Sequence, residues 1–260
     1  MKAWWYGDDN FGDVLTPLIA ERLCGVRPVR KLGAGTILAV GSILHRLRSG
    51  DIVWGTGTIS PRHIPKPLPA GVDYRAVRGP LTREVLVAAG AEVPEIYGDP
   101  ALLLPYLWKP VVQREERIGL IPHYNDYEAA RGLLQLLPGA LLIDIRSDWR
   151  EVIRKACSCN RIISSSLHGI ILGEAYGIPS SWLRFGKNER LVGGDWKFKD
   201  YLASTGRAVT FTSADCEGKY DTSLISLPSP ERGVDLDKLL EVCPFNPRGL
   251  RLKDLVVEEI

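Results

Sequence analysis

Arg161-Ile162-Ile163-Ser164-Ser165-Ser166-Leu167-His168-Gly169-Ile170-Ile171-Leu172-Gly173-Glu174-Ala175-Tyr176-Gly177-Ile178-Pro179 is the stretch on which the fold turns. Its short apolar opening predicts a buried strand over 161–164. Three serines then turn that strand directly into an apolar helix. The turn gathers hydroxyls, backbone N–H groups and an imidazole at a helix N-terminus, where the helix dipole adds partial positive charge. Such a terminus binds anions. A histidine in its first turn can also move a proton near neutral pH.

The same strand–turn–helix unit repeats outward in both directions. Strands over 2–6, 36–40, 51–54, 74–77 and 95–97 alternate with helices over 13–24, 43–48 and 81–89. Pro17 is read near the first turn of the 13–24 helix, with Gly25 as its stop. Pro80 suits the start of the 81–89 helix, and Gly90 its C-cap. The stretch 105–116, with Pro105 and Pro110, reads as a linker. Beyond it, strands over 118–121, 141–145, 161–164 and 181–185 alternate with helices over 126–137, 148–157 and 195–204. A loop near 221–232 and short helices from 236 onward close the pattern. This alternation predicts parallel sheets. The expected fold is α/β, with two Rossmann-like β/α domains facing a cleft, over 1–108 and 112–215, and a C-terminal extension over 216–260. Ligands of such sheets sit beyond the carboxyl ends of the strands, where the polar motifs fall.

Composition narrows the partners. The 260 residues carry 33 basic and 31 acidic side chains, a formal net charge of +2, which does not suit a nucleic-acid binder. Five cysteines, an odd number, suit reduced thiols, and Cys157-Ser158-Cys159 is too tightly spaced for a zinc C-x-x-C pair. Met1-Lys2-Ala3-Trp4-Trp5-Tyr6 runs into Asp8 and Asp9 and does not read as a leader, and no apolar run approaches a bilayer-spanning length of about 18–20 residues. A cytoplasmic location is the expectation.

Several candidate residues follow from position. Gly7-Asp8-Asp9-Asn10-Phe11-Gly12-Asp13 follows the first strand. Asp13, Asp9 and Asn10 can contact a hydroxylated ligand, or one of them can cap the next helix. Gly55-Thr56-Gly57 lacks the third glycine of a dinucleotide fingerprint and reads as a tight turn. Arg78, between a strand end and a helix start, can clamp a carboxylate or phosphate. Gly98-Asp99-Pro100 reads as a turn shaping the cleft floor. His123 follows the first strand of the second half and is read as a ligand contact, whereas His45 and His63 are read as solvated. His168 is the leading functional candidate. Trp4, Trp5, Trp108, Trp182 and Trp196 are read mainly as core, with sugar stacking as the alternative.

Taken in order, the motifs resemble the polysaccharide pyruvyl transferase family. The resemblance runs through N-F-G-D ending at Asp13, G-T-G ending at Gly57, R-G-P-L-T-R starting at Arg78 and G-D-P-A-L-L-L starting at Gly98. S-S-L-H-G starting at Ser165 and K-F-x-D-Y starting at Lys197 complete it. It implies a two-domain fold similar to GT-B glycosyltransferases, and transfer of pyruvate from phosphoenolpyruvate onto two hydroxyls of a sugar, giving a ketal and phosphate. His168 is then expected to be the acid, and Asp13 to orient or deprotonate the acceptor. Arg78 is expected to grip the donor with Ser165, Ser166, Leu167 and Gly169, while Asp9, Asn10 and His123 meet the acceptor. No cofactor or metal is implied, phosphoenolpyruvate being a co-substrate. The acceptor is expected to be an oligosaccharide, and lipid linkage, common in polysaccharide assembly, implies peripheral contact at the inner face of the plasma membrane.

The sequence departs from the family in one place. Many members carry Arg-Leu-His where this chain has Ser166-Leu167-His168, and that arginine is implied to hold the donor. Arg184, Arg161 or Lys187 is expected to substitute, or backbone N–H groups and serines suffice. Two alternatives stay open. E-A-x-G-x-P from Glu174 to Pro179 resembles the donor segment of nucleotide-sugar-dependent GT-B glycosyltransferases, and the missing arginine suits a non-catalytic glycan-binding relative.

Overall fold

A computed structural model describes residues 1–7, 10–185, 193–214 and 233–260. Its first half contains β1 (Lys2–Trp4), α1 (Phe11–Cys24), β2 (Val29–Arg30), β3 (Thr36–Leu38), β4 (Ile52–Trp54), β5 (Asp73–Ala76), α2 (Pro80–Ala88), α3 (Leu104–Leu107) and β6 (Trp108–Lys109). There follow β7 (Glu115–Ile121), α4 (Tyr127–Leu134), β8 (Leu141–Leu142), α5 (Trp149–Cys157), β9 (Cys159–Ser164), α6 (Leu167–Ala175), β10 (Ser180–Phe185), α7 (Trp196–Ser204) and β11 (Thr212–Ala214). The C-terminal part adds α8 (Leu236–Glu241) and β12 (Glu258–Glu259).

Two five-stranded parallel sheets result, ordered β2-β1-β3-β4-β5 and β11-β10-β9-β7-β8. Counted within each half, both sheets have one order: second strand, first, third, fourth, fifth. Strand addition changes direction between first and third strands, so the loops after β1 and β3, and after β7 and β9, diverge and leave a crevice. Among the described residues no helix is long and apolar enough to cross a membrane.

Local chemistry explains the elements nearest the crevice. Asn10 caps α1, its side chain accepting from the Gly12 N–H at 3.0 Å, so the helix begins two residues before the expected 13. Pro17 consequently lies in the helix interior, not the first turn. A proline there removes a backbone donor at a cost of about 3 kcal/mol. Burial of Phe11, Leu15, Ile19 and Leu23 offsets it, each such side chain contributing roughly 1.5–3 kcal/mol. Gly25 ends α1 as expected, in the left-handed conformation with its N–H on Glu21 O. On α5, Trp149, Val152, Ile153 and Ala156 recur at helical spacing and are buried, and Asp148 caps the start.

Several expected elements are shorter or different. The strand over 141–145 contracts to Leu141–Leu142, and the one over 95–97 to a single bridge between Val77 and Tyr97. Pro105 belongs to α3, which continues a buried turn over Pro100–Leu103, so only the later part of the expected linker is irregular. The C-terminal segment returns to the first half. β12 pairs with β6, Trp54 Nε1 donates to Leu239 O at 2.8 Å, and Phe245 packs edge-on against Trp54. One buried apolar cluster runs through both halves. The expected loop over 221–232 lies outside the described residues.

Candidate active site between the sheets

The two crevices merge into one cleft of ≈ 660 Å³. The first half contributes Tyr6, Asn10, Asp13, Ser42, His45 and His63; the second contributes His123, Tyr124, Arg146, Ser166, His168 and Lys197. The halves meet directly beneath it. Phe11 N–H, at the start of α1, donates to Ile145 O at 2.8 Å.

The three serines of the β9–α6 corner have different tasks. Ser164 Oγ donates to Ile121 O at 2.6 Å and accepts from Ser166 N–H at 3.0 Å. Ser165 Oγ donates to Asp126 at 2.7 Å and accepts from His123 N–H at 2.9 Å. Both hydroxyls are used up in holding the corner, so the expected donor contact by Ser165 gives way to a structural one. Gly169 likewise packs on Ser164 and does not line the cleft. Ser166, Leu167 and His168 do line it, at a helix start whose first N–H groups lack intrahelical acceptors.

His168 is seated by Gly12. A Cβ on Gly12 would overlap the imidazole ring, so the glycine of N-F-G-D lets α1 approach α6 closely. Burial first, then the cations Lys197 and Arg78, push the His168 pKa down to about 3. Asp99 Oδ2, 3.8 Å from Nε2, favours the imidazolium but lies beyond hydrogen-bond reach. The ring is therefore neutral at pH 7. Burial pushes Asp13 and Asp99 up to about 6, and holds Lys197 down at about 8. The cleft thus gathers acids and bases that titrate within reach of neutrality.

Arg78 is not a free clamp. It is fully buried, with Nε 3.1 Å from Asp200 Oδ2, Nη1 2.6 Å from Ser42 Oγ and Nη2 2.8 Å from Thr58 O. The same carboxylate accepts from Thr82 N–H at 2.8 Å and from its hydroxyl at 2.7 Å. Gly79 allows this, because a Cβ there would overlap the Asp200 carbonyl. R-G-P-L-T-R and K-F-x-D-Y are therefore two sides of one buried lock between the halves. Arg78 reaches His168 only through its electric field.

Two of the three side chains expected to replace the missing arginine do not line the cleft. Arg184 pairs with Asp195 at 3.5 Å, stacks over Phe211 and does not line the cleft. Arg161 is exposed on β9, and Lys187 and Asp9 lie outside the described residues. The cations lining the cleft are Lys197 and Arg146. Among the described residues Lys197 makes no hydrogen bond or ion pair, its nearest ring contact being Phe198, whereas Arg146 grips Asp144 with two nitrogens at 2.8 and 2.7 Å.

Other contacts correct or extend the sequence reading. Asn10 both caps α1 and lines the cleft, so its two possible roles coexist. His123 lines it too, with its ring against Tyr124 and its pKa pushed down to about 4 by burial and then Lys197. His45 and His63 line the cleft; His63 is exposed as expected, whereas His45 is half-buried. His45 Nε2 lies 2.6 Å from Tyr6 Oη, and His63 Nδ1 lies 2.7 Å from Ser60 Oγ. Trp5, Trp108 and Trp182 are core, and the cleft's exposed aromatics are Tyr6 and Tyr124. Tyr6, the two histidines and Arg146 follow strand ends, a positional signal in the sequence; Lys197 opens the K-F-x-D-Y motif, which does not by itself place that lysine in the cleft. Glu174 is buried, bonded to the Tyr201 hydroxyl and 2.9 Å from Arg207, so E-A-x-G-x-P serves packing.

The model of the polysaccharide pyruvyl transferase family matches residues 31–184, more than half the chain and including Arg78, Asp99 and His168. The chain belongs to this family. Two relatives accord with membership. The succinoglycan biosynthesis protein ExoV of Rhizobium meliloti is 30% identical over 222 residues, covering 79% of this chain and 65% of that protein. An uncharacterized protein of Acanthamoeba polyphaga mimivirus is 33% identical over 215 residues, covering 76% and 72% respectively. No solved structure matches. Asp13 and Lys197 lie outside the matched segment.

Proposed function

We propose that the chain transfers pyruvate from phosphoenolpyruvate to two hydroxyls of one sugar in a cell-surface polysaccharide or its precursor, forming a ketal and releasing inorganic phosphate. The observation that carries this is one cleft holding a helix start of the kind that binds anions, a histidine, a lysine without an ion pair among the described residues, and the half-buried Asp13 carboxylate on α1 of the facing half. In this proposal the two sheets act as GT-B-like domains, 1–108 for acceptor and 112–215 for donor, working in the cytoplasm on an acceptor that can be lipid-linked.

The donor's phosphate and carboxylate lie against Lys197, Ser166 and the N–H groups that open α6. Their negative charge lifts the His168 pKa, so binding loads the ring with a proton. His168 gives that proton to the donor's methylene carbon, and positive charge develops on the neighbouring carbon. A sugar hydroxyl bonds to that carbon while Asp13 takes its proton. The bond to phosphate then breaks, and the second hydroxyl closes the ketal, its proton leaving with phosphate. Asp13, with its pKa near 6, is mostly ionised at pH 7 and can accept. Asn10, His123, Tyr6, His45 and His63 face the acceptor.

Thermal unfolding with phosphoenolpyruvate, phosphate and a panel of nucleotide sugars tests the donor without knowledge of the acceptor. A ligand at about 100 times its dissociation constant adds roughly 2.7 kcal/mol. Stabilisation by phosphoenolpyruvate, altered in His168→Ala, is expected. Stabilisation by a nucleotide sugar alone would overturn the proposal. With an acceptor in hand, loss of the proton donor in His168→Ala should slow phosphate release about 10²–10⁴-fold.

A further inference from the structure

Asp99 and His168 approach from opposite halves and stop short of each other. Asp99 begins the turn Pro100–Leu103, and its Oδ1 accepts from Ala101 N–H at 3.0 Å. That bond fixes the carboxylate and leaves Oδ2 over. Among the described residues Oδ2 makes no well-formed hydrogen bond, although the Gly41 N–H also faces the carboxylate, and His168 Nε2, 3.8 Å away, makes none either. Buried polar atoms are nearly always paired. Two such atoms separated by slightly more than a hydrogen bond mark a bond made in another state of the site. The remaining ring nitrogen has different surroundings. The His168 side chain is 15% exposed and Nε2 is sealed, so Nδ1, beside Gly12, is the nitrogen at the cleft wall.

We propose that Asp99 is the positioning residue of His168: it accepts the Nε2 proton, leaves Nδ1 to work in the cleft, and closes on the ring when an anion occupies the start of α6. The anion-driven part rests on the donor site proposed above. The groups facing the ring are Asp99 and Arg78 from the first sheet's loops, Asp13 from α1, His123 after β7 and Lys197 from α7. Burial and then the cations keep the ring neutral. A bound dianion offsets those cations, a proton enters from water at Nδ1, and the imidazolium is held between the anion and Asp99. This also gives the aspartate of G-D-P a task beyond its turn.

Nitrogen-15 NMR of histidine-labelled protein, with His168 assigned from His168→Gln, tests this directly. The wild type is expected to hold the Nε2–H tautomer when empty. On saturation with phosphoenolpyruvate at pH 7 it should become doubly protonated, with a downfield Nε2 proton. Asp99→Asn keeps the acceptor for Ala101 N–H but should lose the second protonation. A resting Nδ1–H tautomer, or an Asp99→Asn spectrum that responds like wild type, overturns the proposal. If neither protein responds to phosphoenolpyruvate, but Asp99→Asn loses the resting Nε2–H preference, the pairing stands and the donor site fails. Should the variant not fold, the downfield Nε2 proton of liganded wild type decides.

Discussion

Among the contacts between the halves beneath the cleft, two side-chain pairs are built oppositely. Arg78 and Asp200 are fully buried, and every oxygen and nitrogen they offer to the lock is matched at 2.6–3.1 Å. His168 and Asp99, at the cleft floor, stay 3.8 Å apart with a nitrogen and an oxygen that make no well-formed hydrogen bond among the described residues. A satisfied buried pair has little left to gain from a ligand. An unsatisfied one can be completed by it. The difference separates the contact that holds the halves together from the contact available for chemistry.

The comparison can be broken most severely at the lock. Asp200→Ala leaves Arg78 as an uncompensated buried cation, a change that costs about 3–5 kcal/mol. Urea denaturation should show that loss, and an unchanged midpoint would mean the lock carries no stability. His168→Gln, by contrast, should alter stability far less while abolishing turnover. Gly12→Ala sits between these cases, because its methyl meets the imidazole. Overpacking of this kind costs roughly 1–3 kcal/mol, and the same variant should also slow turnover by moving His168.

A smaller effect follows from Lys197, whose folded pKa is held near 8. Its charge is present below that value and disappears as pH rises through it. Phosphoenolpyruvate affinity, followed by calorimetry, should therefore fall above pH 8 toward roughly tenfold per pH unit. Lys197→Met should flatten that limb; an unchanged slope would assign it to another group. Smallest of all, Asn10→Ala removes the α1 cap and should cost about 1 kcal/mol in thermal unfolding.

Much of the site was legible because it lies where strand ends meet helix starts. Asp13, Asn10, His123, Ser166 and His168 were found by position along the chain, and all line the cleft. The errors share a cause. Arg78 sits at a strand end as a ligand-binding arginine would, yet its partner Asp200 lies 122 residues away. Lys197 opens the K-F-x-D-Y motif, but only the lock, through Asp200 of the same motif, brings α7 to the cleft. β2 and β12 are two residues long, too short to show any alternation, and β12 forms only by returning to β6.

The sequence by itself determined the α/β class, the succession of strand–helix units and the motifs at their ends, because these depend on apolar runs, caps and turn residues within a few positions. Tertiary structure alone decided which charged groups would be satisfied and which left open. That choice depends on burial and on partners from the other half of the chain. Desolvation makes a buried charge acceptable only when such a partner arrives.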